Sequence, residues 1–329
     1  MCSVLLFVAA LVSCDNGSYN PFDPANWTID SDFVASYQVA RESVLRQIPA
    51  AYINAARTNL HVAYQHSSHG THVSRGLWGL QEYKTGDDVL FAVAYDDVPA
   101  AGELDFKDYL FDSEAGSIAQ YITPYCQDLT TSDHHPDTVQ HFVQATRAYL
   151  DDPTNAAINV VMWSWCSIRG ADMNEYVTGM QTLIDEYGPG GTEPRAATNP
   201  VTFVFMTGHA EANDNVGEGS PRDQAQAIVD YCDANDYYCL DYYGIDTRDM
   251  NDQYWEDAGD DGNSATYGGG FYTDWQNSHT EGTDWYLNID RRGIVQPGAH
   301  NTQHITANRK AYAFWWILAR IAGWDGVPE

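Results

Sequence analysis

The sequence predicts an α/β fold, a three-layer α/β/α sandwich with a mostly parallel central sheet. Two observations predict it. Short apolar runs suited to buried strands alternate along the chain with helical segments, which is the pattern of a parallel sheet covered on both faces. Several of these runs stop abruptly in small and polar residues. Open α/β sheets keep their ligand sites at the carboxyl ends of their strands, so these polar residues are candidates for a site.

The elements follow one another in a regular order. Helical periodicity or helix-capping residues predict helices over 33–46, 50–57, 73–83, 139–150, 172–184, 221–232 and 306–322. Apolar runs predict buried segments beginning at Leu60 and spanning 89–95, 158–165, 201–206 and 237–242. The last helix is apolar nearly all round, but Arg309, Lys310 and Arg320 argue against a membrane span, so we expect it to pack onto the sheet.

The chain divides into a leader, a tether and one domain. Residues 1–14 resemble a bacterial lipoprotein signal peptide, because a short apolar stretch precedes Leu11-Val12-Ser13-Cys14 and Cys14 would carry the lipid. Residues 15–32 are polar and read as a tether. Residues 33–329 form a single domain, with loop insertions near 96–132 and 247–298. We therefore expect an exported lipoprotein of the bacterial cell envelope, at the periplasmic or the outer surface.

The charge of the chain limits its partners. It carries 46 acidic and 16 basic residues, for a formal net charge of -30, and its only lysines are Lys84, Lys107 and Lys310. Such a surface repels nucleic acids and anionic membranes, so neither is an expected partner. An excess of Asp and Glu is typical of proteins from salty habitats, where salt screens the repulsion. We expect a carbohydrate or small ester as the substrate; the sequence does not determine the oligomeric state.

No cofactor is predicted. Calcium is the competing use of so many carboxylates, and residues 257–263 (D-A-G-D-D-G-N) resemble part of an oxygen-ligand loop without the spacing of an EF-hand. No zinc site is predicted, because the chain has no C-x-x-C or H-E-x-x-H motif. Besides Cys14, the mature chain would keep Cys126, Cys166, Cys232 and Cys239, an even number that is compatible with two disulfides.

The first strand leads into the most informative stretch, His66-Ser67-Ser68-His69-Gly70-Thr71-His72. Nucleophilic serines often lie at such strand-to-helix turns. The expected role of Gly70 is to let the backbone turn. Further polar clusters follow other strands and precede the last helix: Ser164, Cys166 and Ser167; Gly208 and His209; Gly298 to Asn301. An early serine and a late histidine could provide a nucleophile and its general base.

This order resembles the SGNH/GDSL hydrolase superfamily, specifically exported bacterial members whose first block reads H-x-S-x-G. Here that block is His66 to Gly70, so the resemblance implies Ser68 as the nucleophile, with Ser67 as the fallback. The late block maps to Ala299-His300-Asn301, which implies His300 as the base and His304 as its competitor. The superfamily's fold, flavodoxin-like and three-layered, agrees with the class predicted from the elements.

The chain departs from the superfamily at two points. The acid usually lies three residues before the histidine, where this chain has Pro297; Asp290, and after it Asp284 and Asp274, are the candidates. The G-x-N-D block is replaced by Trp163-Ser164-Trp165-Cys166. The cleft and its oxyanion donors are expected to involve Gly70, Ser164, Cys166 and His209, with Ser67, His66 and His69 as secondary candidates; for His209 a hydrogen bond to the loop backbone is the competing role.

The predicted function is a serine esterase that removes O-acyl groups, acetyl above all, from a carbohydrate. Ser68 would attack, and His300 would act as base. Two alternatives stay open. One is a surface lipoprotein that binds carbohydrate without catalysis, through the aromatic rings of 254–285. The other is a metal-dependent, polysaccharide-active enzyme that uses His66, His69 and His72, which recur every three residues.

Overall fold

A computed structural model describes residues 31–95, 98–110 and 138–327. Its central sheet has six strands, all parallel, and helices cover it on both faces. The predicted three-layer α/β/α class is thereby confirmed. The predicted signal peptide, nearly all of the tether and most of the insertion at 96–132 lie outside the described residues.

The strands are short and lie in the order β1-β6-β5-β4-β2-β3. Their bounds are β1 Val34–Ala35, β2 His61–His66, β3 Asp105–Leu110, β4 Val160–Ser164, β5 Thr202–Met206 and β6 Cys239–Leu240. A separate antiparallel pair is formed by β7 Asn263–Ser264 and β8 Gly269–Gly270. From β2 the chain passes to β3 on one side and then to β4 on the other side of β2. All strands stay parallel, but the order in which they are added to the sheet reverses between β2 and β4, which makes this the topological switch point.

Ten helices are described. They are α1 Glu42–Leu45, α2 Ala50–Asn59, α3 Thr71–Leu80, α4 Asp87–Leu90, α5 Thr138–Asp151, α6 Met173–Tyr187, α7 Pro221–Asn235, α8 Tyr242–Asp246, α9 Phe271–Ser278 and α10 Ile305–Ile321. Helix α6 begins as predicted, because the Asp172 carboxylate accepts hydrogen bonds from the amides of Asn174 and Glu175. Helix α10 packs on α3, while α5 packs on α6 and α6 on α7.

Helix α10 is the most deeply buried helix of the layer that it shares with α3. Every residue from Ile305 to Ala319 is buried, including Trp315 and Trp316. This agrees with the prediction that the last helix packs onto the sheet. In the described part of the chain, no helix combines the length and the apolar character needed to cross a bilayer.

Two local predictions were wrong, those for residues 33–46 and for part of the insertion at 96–132. Residues 33–46 do not form one helix, because Val34 and Ala35 pair with Cys239 and Leu240 as an edge strand and only α1 remains helical. The apolar run 89–95 contributes Val89 and Leu90 to α4; it is buried from Phe91 to Ala94 and makes a single bridge from Val93 to Leu104. Strand β3 lies where an irregular insertion was predicted, since its sequence D-F-K-D-Y-L has no clear period.

Candidate active site

The candidate site lies at the topological switch point of the sheet, beyond the carboxyl ends of β2 and β4. Ser68 follows β2 and Cys166 follows β4. The Ser67 amide donates to the Ser164 carbonyl over 3.2 Å, so the two strand ends remain joined one residue before the turn. Open parallel sheets bind ligands at such a switch point, because the loops diverge there and leave a crevice.

Ser68 and His300 lie together in this crevice. Ser68 Oγ is 2.9 Å from His300 Nε2, although the two residues are separated by more than two hundred positions. Ser68 begins a short 3-10 turn, Ser68–Gly70, that continues into α3. The Ser68 amide donates no hydrogen bond to a described residue. Because Ser68 begins the turn that leads into α3, this N–H is one of the unpaired donors at the amino end of a helix.

His300 is exposed and holds a strained backbone conformation. Its φ is +62°, a left-handed value that costs free energy for a residue with a side chain and recurs at functional sites. The preceding residue is fixed on both sides by α3. The Ala299 amide donates to Thr71 Oγ1 over 2.8 Å, and the Ala299 carbonyl lies 2.8 Å from His72 Nε2. The helix that begins beside Ser68 therefore also holds the loop that carries His300.

His72 belongs to a buried chain of polar groups that continues into the interior. His72 Nδ1 lies 3.1 Å from Lys310 Nζ, and Lys310 Nζ lies 2.7 Å from Asp246 Oδ1. All three side chains are fully buried. Burial keeps the pKa of His72 well below its usual value, so the ring is neutral. Because Lys310 can only donate, His72 accepts at Nδ1 and donates its Nε2–H to Ala299.

His69 connects a thiol to a carboxylate. Its Nδ1 is 2.9 Å from Cys166 Sγ, and its Nε2 is 3.2 Å from Asp260 Oδ2. Cys166 Sγ is in turn 3.5 Å from Ser68 Oγ. The His69 ring is stacked between two others, with centroids 3.8 Å from His209 and 4.8 Å from His300.

Burial determines the protonation states of His69 and of the ionisable side chains around it. Desolvation, aided by the nearby ammonium of Lys310, lowers the pKa of His69 to about 3. Burial also lowers the pKa of His209 and raises that of Asp260. Burial raises the pKa of Asp246 to about 6 in spite of Lys310, so its carboxylate is ionised at neutral pH. His69 is therefore a neutral imidazole that donates from Nε2 and accepts at Nδ1.

The predicted acid does not join the site. Asp290 Oδ1 accepts from the amides of Arg292 and Ile294, and Oδ2 accepts from the guanidinium of Arg292. The carboxylate thus closes its own turn, and the structure gives no hydrogen bond between Asp290 and His300. Asp284 accepts from the Thr280 amide and Asp274 from the Tyr267 hydroxyl. No described carboxylate hydrogen-bonds to His300, so the geometry is that of a Ser–His pair.

The other predicted residues lie nearby in supporting positions. His66 sits between Asp108 and the Ser67 carbonyl, at 2.7 and 2.6 Å. The Ser67 hydroxyl is buried and has no described partner. Gly70 has a helical φ of -60°, so the expected turning role is wrong; a Cβ there would lie 2.2 Å from His66 Cβ, and close approach is what requires the glycine. His304 accepts from the Asn288 amide at Nδ1, which is a structural role.

His209 combines both roles considered for it. Its Nδ1 lies 2.7 Å from the Ala210 carbonyl, which is the expected hydrogen bond to the loop backbone. Its ring also faces the site through the stack with His69. Ser164 ends β4 and is fully buried, and its carbonyl accepts from the Ser67 amide.

The described residues include one group of side chains that could ligate a metal ion, and it shares only His69 with the three histidines of the metal-dependent alternative. Of the described residues, His69, Cys166 and His209 place ligand atoms within 4.8 Å of one another. The calcium expectation at 257–263 has no such support. Asp257 accepts from Ser264 and Thr266, Asp261 accepts from Asn263, and Asp260 turns to His69. The carboxylates of this loop are already used by donors of the protein.

Sequence reasoning missed Asp260, Asp246 and the role of Lys310. Carboxylates are too numerous in this chain for any one to stand out. Lys310 did carry a signal, because a lysine inside an otherwise apolar helix needs a buried partner.

Comparisons of the chain with protein-family models, with curated proteins and with solved structures found no match. The resemblance to SGNH hydrolases therefore rests on the short motifs of the sequence.

Proposed function

We propose that the protein is a serine esterase with Ser68 as nucleophile and His300 as general base. The observation that supports this most is the 2.9 Å contact between Ser68 Oγ and His300 Nε2 at the switch point of the sheet. A base within about 2.6–3.2 Å of a hydroxyl is placed to take its proton during attack. The pair lies at the surface, where a substrate can reach it, since His300 is exposed.

The reaction follows from these positions. Ser68 Oγ attacks the ester carbonyl carbon while its proton passes to His300 Nε2. The Ser68 amide, at the amino end of the turn before α3, donates to the developing oxyanion. The tetrahedral intermediate then expels the alcohol, which takes the proton from His300 and leaves an acyl-enzyme. Water, deprotonated by the same nitrogen, releases the acid and restores Ser68.

A carbohydrate O-acyl group, acetyl above all, is the proposed substrate. The superfamily resemblance suggests it, and the acidic loop that carries Asp260 also carries aromatic rings. Trp255 and Tyr267 pack edge to face at 5.3 Å, and Tyr267 is 37% exposed. An exposed aromatic face can stack on a sugar ring. Export as a cell-envelope lipoprotein is part of the same proposal and rests on residues 1–14 of the sequence.

One observation favours a second candidate, a cysteine-dependent acyl hydrolase. Cys166, His69 and Asp260 form a thiol–imidazole–carboxylate chain, which is the order of groups in cysteine nucleophile systems. The Ser68 pair has no such carboxylate. The two candidates differ in which side chain becomes acylated, so substitutions separate them.

The test is hydrolysis of p-nitrophenyl acetate and of an O-acetylated xylan by the full chain in buffer with EDTA. We expect turnover that disappears in Ser68→Ala and falls about 10²–10⁴-fold in His300→Ala. Ser67→Ala is the matched control, because Ser67 is the neighbouring serine and does not contact His300; it should keep its activity. Loss of turnover in Cys166→Ser with retention in Ser68→Ala would transfer the proposal to the thiol. If the xylan is bound but neither ester is hydrolysed, the binding-protein alternative stands in its place.

A further inference from the structure

Three side chains with metal-binding atoms meet at the carboxyl edge of the sheet, each from a different strand. His69 follows β2, Cys166 follows β4 and His209 follows β5, and these strands are neighbours. One ligand atom of each lies within 4.8 Å of the others. The sheet brings them together across well over a hundred residues, which is why no short ligand motif revealed them.

Both histidines already have one nitrogen committed to a partner. His69 Nε2 faces the Asp260 carboxylate at 3.2 Å, and His209 Nδ1 faces the Ala210 carbonyl at 2.7 Å. The nitrogens that carry no proton, and so keep a lone pair for a cation, are His69 Nδ1, which lies 2.9 Å from Cys166 Sγ, and His209 Nε2. Histidines that bind metals almost always donate their other N–H to a carboxylate or a backbone carbonyl, which fixes the ring and the tautomer.

We propose that His69, Cys166 and His209 bind one thiophilic divalent cation of the zinc type. A thiolate and two neutral imidazoles are ligands that Zn²⁺ prefers. The cation replaces the thiol proton of Cys166, which leaves to solvent, so binding releases one proton. Three protein ligands leave a fourth position open for water or another small ligand.

His209 is what distinguishes this site from a simple hydrogen-bonded chain. A thiol–imidazole–carboxylate relay needs His69 alone and gives His209 no function. The two rings are now stacked, with 7° between their planes. Because a bound metal ion lies near the plane of each imidazole that ligates it, binding must turn at least one ring and separate the stack. The proposal does not depend on ester hydrolysis.

The experiment is titration of the purified full chain with Co²⁺, used as a coloured substitute for Zn²⁺, followed by competition with Zn²⁺. We expect saturable binding of one ion with a thiolate-to-cobalt charge-transfer band, which Zn²⁺ removes and Ca²⁺ does not. Cys166→Ser should abolish the band. Asp260→Asn, which alters only the partner of His69, should weaken binding about 10–100-fold.

The controls separate this site from surface binding and from the esterase proposal. His279→Gln changes a histidine that stacks on Trp275, and it should bind cobalt like the wild type. Ser68→Ala should also bind normally, whether or not the protein proves to be an esterase. If Cys166→Ser does not fold, as judged by circular dichroism, His209→Gln replaces it and must weaken binding. No saturable binding, or a band unchanged in Cys166→Ser or His209→Gln, overturns the proposal.

Discussion

His300 and His72 serve the same loop of the protein in opposite surroundings. His300 belongs to the loop itself, is exposed, and has Ser68 as its hydrogen-bond partner among the described residues. His72 lies in α3, is fully buried, and is fixed at both nitrogens, by Lys310 on one side and by Ala299 on the other. One histidine faces solvent and Ser68, and the other is buried, neutral and hydrogen-bonded at both ring nitrogens.

If His300 is the base that we propose, this difference indicates how the chain orients it without a carboxylate partner. In a Ser–His–Asp triad the acid fixes the ring of the base through its second nitrogen. Here the hydrogen bonds are made to the backbone instead, at Ala299, the residue before His300, whose φ is +62°. The orientation of the base is thereby coupled to the interior of the fold rather than to a neighbouring side chain. Breaking the interior should affect the surface pair.

Lys310→Met should have the largest effect. It leaves the fully buried Asp246 carboxylate and His72 Nδ1 without their shared partner. Removing one member of a buried ion pair typically costs about 3–5 kcal/mol, because the remaining charge is uncompensated. We expect a loss of that order in the free energy of unfolding, measured by urea denaturation followed by tryptophan fluorescence.

The double variant Lys310→Met with Asp246→Asn is the matched control for that measurement. It removes the unpaired charge while keeping an oxygen that can accept from the Ala210 amide. The double variant should therefore be more stable than Lys310→Met alone. Equal losses in the two would mean that the buried charge is not what Lys310 compensates.

Gly298→Ala should disturb the loop of the base with a smaller cost to the fold. A Cβ at this position would lie 2.0 Å from His72 Cδ2, in a ring that hydrogen bonds hold in place. The loop must move, and displacement of a reacting group by about 1 Å can cost about 10²-fold in rate. We expect kcat for p-nitrophenyl acetate to fall by that order, with about 1–3 kcal/mol lost in stability. Gly269→Ala, where the new Cβ meets nothing within 4 Å, is the control and should change neither quantity.

The strand ends could be predicted from sequence because the pattern that marks each one lies within a few consecutive residues. An apolar run followed by Ser, His and Gly marks both the strand and its polar turn. The choice of Ser68 and His300 within the polar segments came from the resemblance to SGNH hydrolases, and the structure places the two side chains in contact. The sheet then fixes which turns become neighbours. Elements that depend on a distant partner could not be predicted in this way: Val34 and Ala35 form a strand because they pair with β6, far along the chain.

The supporting groups could not be predicted, since their roles arise from contacts between distant segments. Asp260 reaches His69 from a position far along the chain, and Asp246 does the same for Lys310. A carboxylate that will be buried looks like the many that remain on the surface. The Thr71-His72 pair was visible in the motif, but its purpose, holding Ala299, depends on where the late loop returns.

Asp290→Asn should have the smallest effect on catalysis, and it tests the claim that His300 works without a carboxylate. Removing a true triad acid costs about 10⁴-fold in kcat, because the base loses its tautomer and orientation. Asp290 instead holds Arg292 and the amides of its own turn, which an asparagine side-chain oxygen can still accept in part. Ester hydrolysis should therefore stay close to that of the wild type, while the melting temperature falls slightly through the lost pair with Arg292. A loss approaching that of a triad acid would show that the loop rearranges in the working enzyme and brings Asp290 to His300, and the contrast between an exposed base and a buried support would then have to be abandoned.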